Sequence, residues 1–148
     1  MTPTGRVFEV QHSGLSADDI RERERFYGPE MTWIWDARDP YENERLWTHD
    51  YCTTWDCHGG KISDGSCIPS RYPRCPDCQG TGKRRDGKHA FRWKHPRTTL
   101  AACRRRLLLD LDGETLLSVH WNGKGFATGN GRLVSRQQVT QLLNKEPS

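Results

Sequence analysis

At 148 residues the chain has room for one domain carrying a small inserted module. Apolar residues make up only 33% against 28% charged, so the core is modest, helped by six tryptophans that each bury a large area. No stretch is apolar enough for a membrane span or a signal peptide, and a net charge of +4 permits a nucleic-acid partner without demanding one.

In chain order, Arg6 to Gln11 alternates as a short strand, which puts Glu9 and Gln11 on one face. A carboxylate and an amide side by side at a strand end can hold a divalent metal and orient a water. Ser16 then reads as a helix N-cap, with Asp19 at N3 completing a capping box and Leu15 and Ile20 forming a hydrophobic staple. The helix is expected over residues 17–27, and Gly28 and Pro29 stop it. Its Arg21 to Arg25 run alternates in sign and reads as a solvated face with salt-bridging neighbours. Ile20, Phe26 and Tyr27 are the expected packing residues. Met31 to Asp36 is rich in aromatic and β-branched residues and reads as a second strand. Strand, helix and strand with short connections make a βαβ unit, so the two strands are expected to be parallel. Asp39 and Pro40 then break the pattern.

Residues 48–90 lack apolar periodicity and are rich in Gly, Cys, Asp, Pro and Ser. Such a segment needs a staple, because it cannot build its own core. A chain without a leader is expected in a reducing cytoplasm, bacterial or that of a phage host, where six cysteines point to metal before disulfides. Cys75 and Cys78, followed by Gly80, form a knuckle that can grip one tetrahedral ion. Cys52 and Cys57 form a looser second pair, giving a two-pair spacing close to that of structural zinc sites. Cys67 and His58 are rival ligands. With four protein ligands the zinc would be structural and would supply folding free energy on the order of 10 kcal/mol. Reduced surface thiols, or three disulfides in a secreted chain, are the competing readings. Cys103 reads as a buried small apolar residue.

Phe91 to Lys94 reads as a short strand, and Thr98 to Arg105 as a short helix with Ala101, Ala102 and Cys103 inward. Leu107 to Leu111 and Thr115 to Trp121 form a hairpin across Asp112 and Gly113. The Gly-rich stretch from Gly123 to Gly131 reads as a surface loop, since no Lys-Ser/Thr sequence closes it as a phosphate cradle. Ser135 caps a last helix running to about Asn144, with Gln138 at N3 and Val134 and Val139 as the staple pair. The basic runs Lys83, Arg84, Arg85 and Arg104, Arg105, Arg106, together with Lys94 and Arg97, are candidates for gripping a DNA backbone. The plain alternative for each run is solvated surface. Trp55 and Trp93 can stack on bases, or pack in the core.

The segment from Phe8 to Tyr27, followed by Met31 to Asp36, resembles the nuclease core of the competence protein CoiA-like family, a branch of the PD-(D/E)XK nucleases with Gln in the usual Lys position. The resemblance covers residues 5–37, and a looser likeness returns at Phe91 to His95 and Leu107 to Trp121. It implies an α/β fold: a partial restriction-endonuclease-like βαβ core over 1–47, a small zinc-ribbon-like insertion over 48–90, and a C-terminal hairpin plus helix within 91–148. The implied activity is metal-dependent hydrolysis of DNA phosphodiesters. Glu9 would ligate Mg²⁺ or Mn²⁺, Val10 would offer its carbonyl, and Gln11 would orient the attacking water. Glutamine cannot act as a base or carry charge as lysine does. His12 is expected on the opposite strand face.

The family's upstream aspartate has no counterpart, because Met1 to Phe8 contain no acidic residue. Thr2 to Gly5 looks like the turn that would follow the missing strand. Three readings follow in order of preference: a longer natural protein, a remnant that binds without cutting, or replacement of the aspartate by Asp36. The rival functions are a non-catalytic zinc-containing nucleic-acid-binding module and a small phage or bacterial protein-interaction factor.

Overall fold

A computed structural model describes residues 5–50, 86–123 and 125–144. Contacts divide the chain into one unit of Met1–Trp47 with Phe91–Ser148 and a second of Thr48–Ala90. Among the described residues a mixed seven-stranded sheet and three α-helices give an α/β architecture.

The first unit opens with strand β1 (Val7–Gln11), helix α1 (Ala17–Tyr27) and strand β2 (Met31–Asp36). β1 and β2 are parallel, with Glu9 opposite Trp33 and Gln11 opposite Trp35. Helix α1 starts where local chemistry places it. The Ser16 hydroxyl accepts from the Asp19 N–H at 3.1 Å, and the Asp19 carboxylate accepts from the Ser16 N–H at 3.1 Å. It ends at Gly28, whose φ of 77° is open to glycine and whose N–H reaches the Glu24 carbonyl at 3.0 Å.

One packing expectation for α1 is corrected. Phe26 is 81% exposed, while Glu24 is buried. Ile20, Glu24 and Tyr27 recur at the helical spacing of one face, and Phe26 falls off that stripe, edge-on to Tyr27.

Helix α2 (Arg38–Glu42) follows β2, so Asp39 and Pro40 do not end the regular structure. Pro40 lies in the first helical turn, where its missing N–H leaves no intrahelical bond unmade. Strand β3 (Leu46–His49) leads into the second unit and β4 (His89–Trp93) leads back. Thr98–Ala102 is a 3-10 turn rather than a longer helix, and it buries Leu100 while Ala101 is exposed.

Strand β5 (Arg106–Asp110) lies parallel to β2, with Trp33 opposite Leu107 and Asp36 opposite Asp110. The hairpin expected across Asp112 and Gly113 is present: β6 (Thr115–Gly123) returns antiparallel to β5. β7 (Thr128–Ser135) is antiparallel to β6, and helix α3 (Arg136–Asn144) closes the fold. The sheet order is β1-β2-β5-β6-β7-β4-β3.

β7 overturns the reading of Gly123 to Gly131 as a surface loop. β6 carries a register shift between Val119 and Trp121, and opposite it Gly131 presses against the Ser118 backbone. A Cβ on Gly131 would stand 2.1 Å from the Ser118 carbonyl oxygen. The glycine is there because two strands approach too closely for a side chain.

Two apolar layers flank the sheet. On the α1 side, Ile20, Trp33, Trp35, Leu100, Leu107 and Leu109 belong to the main cluster. On the α3 side, Ile34, Leu108, Leu116 and Val139 form a smaller one, joined by Phe8 and Val134. Helix α3 has the expected box: Ser135 N–H donates to Gln138 Oε1 at 2.8 Å, and Gln138 N–H to the Ser135 hydroxyl at 3.1 Å. No helix among the described residues is long and apolar enough to cross a membrane.

Candidate functional site

Glu9 and Gln11 lie on the β1 face that α1 covers, beside Trp33 and Trp35 of β2. The Glu9 side chain is half-buried and forms an ion pair with Arg23, which reaches across from α1. Gln11 is buried, and its Nε2 donates to the Ser13 carbonyl at 2.8 Å and to the Ser13 hydroxyl at 3.0 Å. Those bonds fix the amide by its nitrogen, so the carbonyl oxygen is the end that can accept.

Asp36 does not join Glu9. Strand alternation puts it on the opposite sheet face. It accepts from Arg38 Nε at 2.9 Å and from the second Arg38 guanidinium nitrogen at 2.7 Å, and it meets His12 Nδ1 at 3.1 Å. The Arg38 hydrogen bonds hold its carboxyl well below the usual carboxylate range, against desolvation and with help from His12. The same pairing raises Arg38 above its ordinary value. His12, Asp36, Arg38 and Arg97 line an open cleft of about 470 Å³ at the C-terminal ends of the parallel strands. The Arg97 guanidinium lies over the Trp35 ring, 5.8 Å from its centre.

Asp110, beside Asp36 in the sheet, is buried where Asp36 is half-buried. It accepts from Arg136 at 2.6 Å and from the Gly113 N–H at 2.8 Å, which ties α3 to the hairpin turn.

Glu24 is the residue the sequence reading missed. Its Oε1 accepts from Trp33 Nε1 at 2.9 Å, the Arg104 N–H at 2.8 Å and the Arg105 N–H at 3.0 Å. One carboxylate therefore pins α1 to β2 and to the approach of β5. The spacing from Ile20 to Glu24 on one helix face was the available signal, overshadowed by the charges around it.

The basic candidates differ in exposure. Lys94, Arg104 and Arg106 are exposed, while Arg97 and Arg105 are half-buried. Arg105 Nε is buried with no hydrogen-bond partner among the described residues. Cys103 is half-buried, and burial, with the Glu24 charge adding, pushes its thiol up to about 12. Cys52, Cys57, Cys75, Cys78, Cys67, His58, Lys83, Arg84, Arg85 and Trp55 lie outside the described residues. Trp93 is buried in the main core, which sets aside stacking on a base.

Among the described residues no group of three or more His, Cys, Asp or Glu side chains is placed to hold a metal. What β1 does offer is the Glu9 carboxylate, backbone carbonyl oxygen and the Gln11 amide oxygen. Oxygen donors of this kind suit a hard divalent cation, and Mg²⁺ sites commonly use one or two carboxylates with water and substrate phosphate filling the rest. A cation at Glu9 must share or displace Arg23. No protein-family model, curated protein sequence or solved structure matches this chain.

Proposed function

We propose that this chain is a nuclease-like protein acting on DNA, with a partial restriction-endonuclease-like core of the CoiA-like kind. The observation that carries this reading is the parallel β1–α1–β2 unit, with Glu9 and Gln11 two residues apart on the covered face of β1. Glu9 is the one acidic side chain on β1, with room for a second partner beside Arg23 because it is only half-buried. A bound Mg²⁺ or Mn²⁺ supplies phosphate polarisation and a more acidic water. Glu9 and the Val10 carbonyl would hold the cation, and the Gln11 oxygen would orient the attacking water. Ser13 fixes that amide from its nitrogen side, so Gln11 positions without taking a proton. Lys94, Arg97, Arg104, Arg105 and Arg106, with Lys83, Arg84 and Arg85, would hold the backbone through charge alone. Cys52, Cys57, Cys75 and Cys78 would hold a structural zinc in the second unit.

A second reading, binding without cutting, draws support from the Arg23–Glu9 pair and the single carboxylate on β1. The experiment is incubation of the purified chain with single-stranded and duplex DNA in Mg²⁺ or Mn²⁺, with binding followed against salt. The expected result is affinity that falls steeply with salt, together with metal-dependent shortening of the DNA. Salt-sensitive binding without cleavage selects the second reading. No binding at low salt, or a flat salt response, overturns both.

A further inference from the structure

The geometry points to a separate site for one unstacked nucleotide of single-stranded DNA, on the sheet face opposite Glu9. This rests on the DNA reading above and extends it to a second surface.

A groove of about 340 Å³ runs beside α3, across the N-terminal parts of β1, β2 and β5. That volume is in the range of sites for small organic groups. Its floor is set by register: Phe8 stands opposite Thr32, and Thr32 stands opposite Arg106, so the three share one row across three parallel strands. Leu108 and Val139 add apolar wall.

The chemistry of that row matches the parts of a nucleotide. Phe8 is half-buried and offers a ring to a base. Base stacking on an aromatic side chain tolerates any sequence, because every base has a π-face. Thr32 and Ser118, 7% and 5% exposed, bring hydroxyls to the lining beside Leu108, Val134 and Val139, where a base edge can hydrogen-bond. Arg106 is exposed at the start of β5 and supplies positive charge for the attached phosphate. Glu30 is the one carboxylate among the lining residues, which also include the cations Arg6 and Arg106. A purely apolar ligand would leave the two hydroxyls unmatched, and duplex DNA cannot insert a base without unstacking it.

Past the groove's lining, β1 stays exposed on the same face. Val10, on the same face of β1, is 53% exposed. Among the described residues β1 is the last strand on its side of the sheet, and it carries Glu9 on the other face. A DNA strand crossing that edge would meet the groove and Glu9 in succession.

The test compares two fluorescent probes at low salt: a thymidylate dodecamer and an abasic dodecamer with the same phosphates and no bases. The wild-type chain is expected to favour the thymidylate probe by roughly 10-fold. Phe8→Leu keeps apolar volume while removing the ring, and should reduce that preference to about 2-fold or less with abasic binding unchanged. Arg106→Gln should weaken both probes alike. Equal binding of both probes by the wild type, or full preference in Phe8→Leu, overturns the groove site and leaves the DNA reading standing. Binding of neither probe overturns both.

Discussion

Two carboxylates lie between helix α1 and the sheet, and their surroundings are opposite. Glu24, on the β2 side, is buried and takes three hydrogen bonds on one oxygen. Glu9, on the β1 side, is half-buried and meets one arginine. A saturated carboxylate has no capacity left for a ligand, whereas one held by a single flexible cation can exchange partners. The same helix thus supplies an anchoring carboxylate, Glu24, on one side and, on the other, the Arg23 that pairs with the accessible acid of β1. Sequence charge alone does not separate them, since both are glutamates flanked by arginine or apolar residues.

Removing the Glu24 anchor should have the largest effect. Glu24→Ala strands the Trp33 indole N–H and two backbone N–H groups, and should lower stability by about 3 kcal/mol or more. Urea unfolding measures it, and a loss under about 1 kcal/mol would mean that water replaces the carboxylate. A smaller effect separates docking of α1 from its initiation. Ser16→Ala removes the α1 cap and Ser135→Ala the α3 cap, each expected to cost about 1 kcal/mol in the same measurement. Equal losses at Ser16 and Glu24 would show that α1 is limited by its start and not by its anchor.

The smallest effect is that of pH on Asp36. Its carboxyl is held below its ordinary value by Arg38, so its contribution is present above the unfolded-state pKa of about 3.9 and is lost as pH falls toward the folded value. Asp36→Asn should flatten the stability curve below about pH 4 and leave its slope above that unchanged. An unchanged acid limb would assign acid sensitivity to other carboxylates.

Much of the architecture was legible because it is written in short-range chemistry. Ser16 with Asp19 and Ser135 with Gln138 declare helix starts within four residues, and the β1–α1–β2 unit and the β5–β6 hairpin follow from adjacent segments. The missed features depend on distant partners. Glu24 is buried by backbone donors 80 residues away, which no window of sequence contains. Gly131 looks like loop until β6 brings the Ser118 carbonyl beside it. Pro40 looks like a breaker until α2 is seen to start two residues before it. At the site, the Glu9–Gln11 spacing could be read directly, but the pairing of Glu9 with Arg23 and of Asp36 with Arg38 and His12 required the fold.

The nuclease proposal requires Glu9 to serve chemistry and not stability, and one paired measurement on Glu9→Ala tests it: urea stability beside Mn²⁺-dependent DNA cleavage. On that proposal Glu9→Ala should change stability by no more than about 1 kcal/mol, as for a half-exposed ion pair, with cleavage lost and DNA binding kept. Cleavage equal to wild type, or a variant as destabilised as Glu24→Ala, would contradict it.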